Sequence, residues 1–177
     1  MALGKSLARA LSHMLFRPDA AKRRFMGRHC RNIRNKRILE IGSGKQVNGK
    51  HIYSVRDRFD SSNKFECTDI DPSFGHKILD ITKMRISNRY DIIICFNVLE
   101  HVFDFHPAIE NMHRALKKNG QLLVLVPAFY PLHDEPHDYW RYTEHSLGKL
   151  FSIFKKVSIE HFGIRQYPFS YFVAARK

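Results

Sequence analysis

Hydrophobic positions follow two rhythms along this chain. Leu3, Leu7, Ala10, Leu11, Met14 and Leu15 recur at helical spacing, while Lys5, Arg9 and Ser12 lie elsewhere around the turn. The spacing predicts an amphipathic helix over residues 3–16. Arg17-Pro18 ends it, because the residue before a proline avoids the α region. From Arg37 onward the rhythm becomes short apolar runs divided by helical or turn-rich stretches. Arg37–Ile41 reads as a strand ending in glycines, residues 47–60 as a weak helix or loop, and Phe65–Ile70 as a second strand. Ile78–Ile81 reads as a very short third strand. Tyr90–Asn97, with Ile92, Ile93, Ile94 and Cys95, is a continuous apolar run of the kind found in buried parallel strands.

Pro107–Lys118 reads as a helix with Ile109, Met112 and Leu116 on one face and Asn119-Gly120 as its stop. Gln121–Pro127 is another buried strand. Thr143 caps a helix running to about Phe151, with Leu147 and Leu150 inward. Residues 154–162 and 171–175 are the last two strands, around a loop over residues 163–170. Strands separated by helical stretches imply crossover connections and a mostly parallel sheet covered on both faces. The last two strands have only a loop between them and should pair antiparallel.

Charge changes this picture at one end only. The formal net charge is +13. Residues 1–37 carry eleven Lys/Arg against the single acid Asp19, whereas the remaining 140 residues are nearly balanced. The expectation is a basic N-terminal arm over residues 1–36, carrying the amphipathic helix, ahead of a domain over 37–177. Such an arm attracts polyanions: nucleic acid, anionic lipid at a membrane surface, or phosphorylated substrates. Cys30, Cys67 and Cys95 form no C-x-x-C pair and read as thiols in a reducing compartment. No apolar run reaches the ~20 residues of a membrane span, and no secretory signal is evident. A cytoplasmic protein is expected, with peripheral membrane contact as the variant the helix permits.

The chemistry concentrates in four segments. In Glu40-Ile41-Gly42-Ser43-Gly44-Lys45, two glycines directly after a strand allow a tight turn and close approach of a ligand to the backbone. A phosphate-binding P-loop requires glycine where Leu39 stands and Ser or Thr where Gln46 stands. The dinucleotide pattern requires Gly or Ala at Val47. A ligand without a pyrophosphate is favoured. Asp69, with Asp71 as runner-up, ends the second strand where a carboxylate accepts both hydroxyls of a ribose. Leu79-Asp80-Ile81-Thr82 suits the edge of an adenine.

The fourth segment runs from Pro127 to Thr143 and concentrates His133, Asp134, Glu135, His137, Asp138, Tyr139, Trp140, Arg141 and Tyr142 beyond a strand end. Loops on a rigid scaffold are where function is expected. His133 and His137 are the candidate general bases, with Tyr139 and Arg141 orienting an acceptor. The competing reading is a packed loop, with Trp140 and Tyr142 as anchors and Asp138 paired to Arg141. His133 and His137 could also ligate metal with Asp134, Glu135 and Asp138. Pro131 and Pro136 argue against a helix aligning the pair, and no metal is expected.

Together these segments resemble class I S-adenosylmethionine (SAM)-dependent methyltransferases, particularly the small bacterial type 11 group. Glu40–Gly44 is similar to that family's first motif, Asp69-Ile70-Asp71-Pro72 to its ribose motif, Leu79-Asp80 to its adenine motif, and Phe96–Val102 to its fourth-strand motif. Lys117–Leu122 is similar to its entry into strand five. The family often has a third glycine where Gln46 stands. The resemblance implies a Rossmann-like fold: a mostly parallel seven-stranded sheet with an antiparallel last strand and helices on both faces. It implies SAM as cofactor, held by Glu40, Gly42, Ser43, Gly44, Asp69, Ile70, Asp80, Ile81, Asn97 and His101. Methylation at O or N of a small or anionic acceptor is the expected activity. The rivals are nucleic-acid methylation through the basic arm, a non-catalytic SAM-fold module docking on a membrane or partner, and a nicotinamide-dependent reductase.

Overall fold

A computed structural model describes residues 18–47 and 50–177. The amphipathic helix expected over 3–16 lies outside them. The first described element is a helix, α1 (Pro18–His29), within the stretch read as basic arm. Three apolar side chains on one face, Ala21, Phe25 and Met26, are buried among cations pointing elsewhere. Three apolar residues are too few to show as a period in the sequence.

Among the described residues nine strands follow: β1 (Arg37–Ile41), β2 (Gln46–Val47), β3 (Lys50–His51), β4 (Lys64–Asp69), β5 (Lys77–Ile78), β6 (Tyr90–Phe96), β7 (Leu116–Pro127), β8 (Lys156–Ile164) and β9 (Tyr167–Arg176). Helix α2 (Phe105–Ala115) joins β6 to β7, and α3 (Glu144–Leu150) precedes β8. Seven strands form one sheet in the order β5-β4-β1-β6-β7-β9-β8, and β2 and β3 make a separate two-stranded antiparallel sheet. The pairs from β5 to β7 are parallel; β9 runs antiparallel to β7 on one side and to β8 on the other. This is the expected seven-stranded, mostly parallel sheet with an antiparallel last strand.

Alternation along the strands divides the core in two. Ile38, Ile92, Ile94, Phe96, Leu123, Leu125, Phe172 and Ala174 face α1. Leu39, Ile41, Ile93, Cys95, Leu122, Val124, Val126 and Val173 face α2 and α3, meeting Ile109, Met112, Leu147 and Phe151. Thr143 caps α3 as expected, in a reciprocal capping box with Ser146.

Two expectations are corrected and a third is narrowed. Helix α2 ends at Ala115 rather than Lys118: Leu116 is extended and fully buried, pairs with Tyr90, and Lys117 reaches Asp91 at 2.9 Å. Asn119, read as a helix stop, takes a left-handed φ of 63° in the bulge that follows. The loop expected over 163–170 is mostly strand. Gly163, at φ 101°, takes a bulge in β8, which pairs only with β9, and Arg165-Gln166 suffice for the turn. Of the two readings for residues 47–60, a weak helix or a loop, the described residues fit the loop: β3 pairs with β2, and one 3-10 turn, Arg56–Arg58, follows. Among the described residues, no helix is long and apolar enough to cross a membrane.

Candidate active site

The carboxyl ends of β1, β4, β6 and β7 share one edge of the sheet, where ligands bind in open α/β folds. After β1 the chain turns through Gly42 and Gly44, at φ 72° and 68°. A Cβ on Gly42 would collide with Val98 Cγ2, and one on Gly44 would lie 2.6 Å from Tyr53 Cδ2. Both the backbone conformation and the space therefore require glycine. The turn is tied to β4, since Ser43 N donates to Thr68 O at 3.0 Å and Gly44 N to Asp69 Oδ2 at 2.8 Å. Glu40 sits beneath it, buried, and accepts from Ser43 Oγ at 2.9 Å, Val55 N at 2.7 Å and Ser54 Oγ. Its carboxylate braces the turn from inside.

At the end of β4 the two candidate acids separate. Asp69 is buried and spends one bond per oxygen on backbone amides, Gly44 N and, at 3.1 Å, Asp71 N. One lone pair on each oxygen remains. Asp71 caps the short turn Pro72–Phe74 by accepting from Ser73 N. Asp80 is committed locally, to Thr82 N, Thr82 Oγ1 and Lys83 Nζ. Ile81 is buried in the core, whereas Ile70, beside Asp69, is exposed.

After β6, Asn97 takes a left-handed φ of 53° and the chain enters a 3-10 turn, Leu99–His101. The 128–143 loop lies on that turn. Tyr139 N and Trp140 N both donate to Glu100 O, Tyr142 Oη to Leu99 O, and Trp140 Nε1 to Phe103 O. His101 Nδ1 lies 2.8 Å from His137 O, and its Nε2 lies 3.9 Å from both Glu100 Oε1 and Asp134 Oδ2. Thus His101 joins the loop histidines: its ring centroid is 4.8 Å from that of His133.

Arg141, expected to orient an acceptor, spends its donors inside the loop. They go to both oxygens of Asp138, at 2.6 and 2.7 Å, and to the carbonyls of Tyr130, Pro131 and Trp140. Arg141 and a bond from His133 N hold the Asp138 carboxyl far below the usual carboxylate range. Burial lowers the His133 imidazole against the opposing pull of Asp138. His137 is exposed and its Nδ1 lies 2.8 Å from Tyr139 Oη.

One residue of this cluster was not among the sequence candidates. Glu100 is fully buried, and neither of its carboxylate oxygens has a hydrogen-bond partner among the described residues. Burial pushes its carboxyl up to about 8, against the pull of Arg141. The signal that could have found it is an acid directly after an apolar strand and its first turn, where a core would otherwise continue.

The family described as "Methyltransferase domain" matches residues 10–162. No curated protein matches the sequence. Among solved structures, a SAM-dependent methyltransferase from Archaeoglobus fulgidus is similar over 96% of this chain and 99% of its own, at 14% identity and TM-score 0.64. A 1,6-didemethyltoxoflavin-N1-methyltransferase from Burkholderia thailandensis, solved with 1,6-didemethyltoxoflavin and S-adenosylhomocysteine, is similar over 87% of this chain and 75% of its own, at 17% identity and TM-score 0.61. The CurJ carbon methyltransferase is similar over 85% of this chain, at 17% identity and TM-score 0.62. The chain spans about half the length of that protein, 50%.

Proposed function

Because this chain belongs to the methyltransferase-domain family, which uses SAM, we propose that it methylates a small acceptor held under the 128–143 loop, at an oxygen or nitrogen. One observation carries this reading. Val98, whose Cγ2 closes the space over Gly42, lies two residues before Glu100, whose carbonyl anchors the loop. Cofactor turn and histidine loop are thereby joined through a single short segment.

The residues fit the cofactor. Gly42 and Gly44 let the turn adopt its left-handed conformations with Val98 and Tyr53 packed directly on bare backbone, and Asp69 keeps lone pairs for two ribose hydroxyls. Exposed Ile70 offers an apolar surface beside them. Glu40 braces the turn from inside and keeps one lone pair on Oε1, and Asp80 Oδ2 carries only the ion pair to Lys83. When bound, SAM supplies an electrophilic methyl whose transfer leaves a neutral thioether. The protein's work is alignment and exclusion of water. With Nδ1–H donated to Tyr139 Oη, His137 keeps the Nε2 lone pair to take a proton from the acceptor.

Calorimetric titration tests the cofactor half. Wild type should bind SAM and S-adenosylhomocysteine, and Asp69→Ala should weaken both by roughly 10–100-fold, the worth of a charge-assisted pair of bonds. Absence of binding to wild type would remove the enzymatic reading. Full turnover in both His133→Ala and His137→Ala, once an acceptor is found, would remove the base assignment.

A further inference from the structure

We propose that Glu100, His101 and His133 form a binding site for one divalent transition-metal ion, zinc being the first to test. The three residues offer one carboxylate oxygen and two imidazole nitrogens, all within 4.8 Å of one another. Glu100 Oε1 lies 3.9 Å from His101 Nε2 and 4.0 Å from His133 Nε2. The edge of a tetrahedral site with bonds of about 2.1 Å is roughly 3.4 Å. The two Glu100–histidine separations need to close by only about half an ångström, and the widest separation in the trio by up to about 1.4 Å, to bring all three atoms onto one ion. Two imidazoles and a carboxylate, with positions left open, are a ligand set zinc and its first-row neighbours accept.

Three features separate this cluster from a chance gathering. The first is the orphaned carboxylate. Glu100 has a fully buried side chain, and buried polar atoms without partners are rare because each costs about 1–3 kcal/mol. Both histidines present their Nε2 atoms to it. The second is the ring's other side. A metal-bound histidine donates its remaining N–H to a carbonyl or carboxylate, which fixes the tautomer and frees the ligating lone pair. His101 Nδ1 meets the His137 carbonyl at 2.8 Å. His133 Nδ1 lies 3.1 Å from Asp138 Oδ2, close in distance but bent too far for a well-formed hydrogen bond, so this ring is held more loosely. The third is that nearby charge does not already neutralise Glu100. The Arg141 guanidinium is engaged by Asp138 and three carbonyls. Asp134 Oδ2, 3.9 Å from His101 Nε2 and exposed to solvent, stands on the open side as a fourth ligand.

An ion here would sit beside the exposed His137–Tyr139 pair, where a Lewis acid lowers the pKa of an acceptor hydroxyl. That role rests on the methyl-transfer reading; the binding itself does not, and the experiment measures binding. Purified full-length protein is stripped with a chelator, then titrated with cobalt(II) followed by visible absorption, and with zinc(II) by calorimetry. Uptake of one ion per chain is expected, without the thiolate charge-transfer bands that coordination by Cys30 or Cys67 would give. Glu100→Gln and His133→Ala should weaken binding by at least ~100-fold, and Asp138→Asn by roughly 10–100-fold. His145→Ala, at an exposed position outside the cluster, should leave it unchanged. SAM titrations on the same variants show whether the cofactor cradle is intact, so that loss of metal and loss of methyl-donor binding are told apart. In wild type, where no variant need fold, zinc should protect His101 and His133 but not His145 from carbethoxylation, read by mass spectrometry. No saturable uptake by wild type, unchanged affinity in Glu100→Gln, or no histidine protection overturns the site.

Discussion

Two glutamates are buried at this edge of the sheet, and their surroundings are opposite. Glu40, within β1, accepts from two serine hydroxyls and a backbone amide. Glu100, just beyond the adjacent strand β6, accepts from nothing among the described residues. Both are acids taken out of water, so burial alone does not separate a brace from a binding group. The hydrogen-bond inventory does. A carboxylate whose partners all belong to its own turn is spent on architecture, and one that is buried and unpartnered is held for something from outside.

The largest expected effect is at Glu40. Replacing it by Ala leaves Ser43 Oγ, Ser54 Oγ and Val55 N without their acceptor, and should cost about 3–5 kcal/mol of unfolding free energy. Urea denaturation checks this, and a loss below about 1 kcal/mol would erase the contrast. Next is Gly42→Ala, where a left-handed φ of 72° and the collision with Val98 should together cost about 1–3 kcal/mol. SAM affinity should fall along with stability, because the same strain displaces the cradle.

A smaller effect comes from an acid outside this edge, Glu66 in β4. Burial works to raise its carboxyl, but bonds from Tyr90 Oη and Arg89, with Arg37 nearby, more than offset that and hold it below the usual range. A depressed carboxyl stabilises the fold above the unfolded-state value and loses that contribution as pH falls through its own. Stability should therefore drop by up to about 1 kcal/mol more in wild type than in Glu66→Gln as pH falls below ~4.3. Parallel urea midpoints across pH 5 to 3 would show it. The smallest effect belongs to Glu100→Gln. In metal-free protein it should be close to neutral, within about 1 kcal/mol, because no protein bond is lost. A loss as large as that of Glu40→Ala would mean that Glu100 has a structural partner after all.

Much of the cofactor side was legible along the chain because it is local. Gly42 and Gly44 announce their φ angles by being glycine after a strand, Asp69 ends an apolar run, and Thr143 caps the helix its spacing implies. The sheet covered on both faces follows from continuous apolar runs separated by helical stretches. The acceptor side was legible only as a list of residue types. That Glu100 and His101 meet His133 depends on the loop folding back over the turn after β6, a contact between segments about thirty residues apart. The sequence leaves Arg141 between orienting an acceptor and pairing with Asp138, and only the fold of the loop shows its donors turned inward. Helix α1 escaped because its buried face, Ala21, Phe25 and Met26, is outnumbered by the charges around it.

Strand β9 sets a timetable. It follows β8 along the chain, yet it fills the gap between β7 and β8. Leu122–Val126 therefore have an unpaired edge until Tyr171–Ala175 arrive about fifty residues later. At a translation rate of about 5–20 residues per second, that apolar edge stands open on a growing chain for roughly 3–10 s. During that interval β8, made first, must not take the place beside β7 that β9 will occupy. The antiparallel strand thus asks the nascent chain to wait, and makes these seconds its most aggregation-exposed.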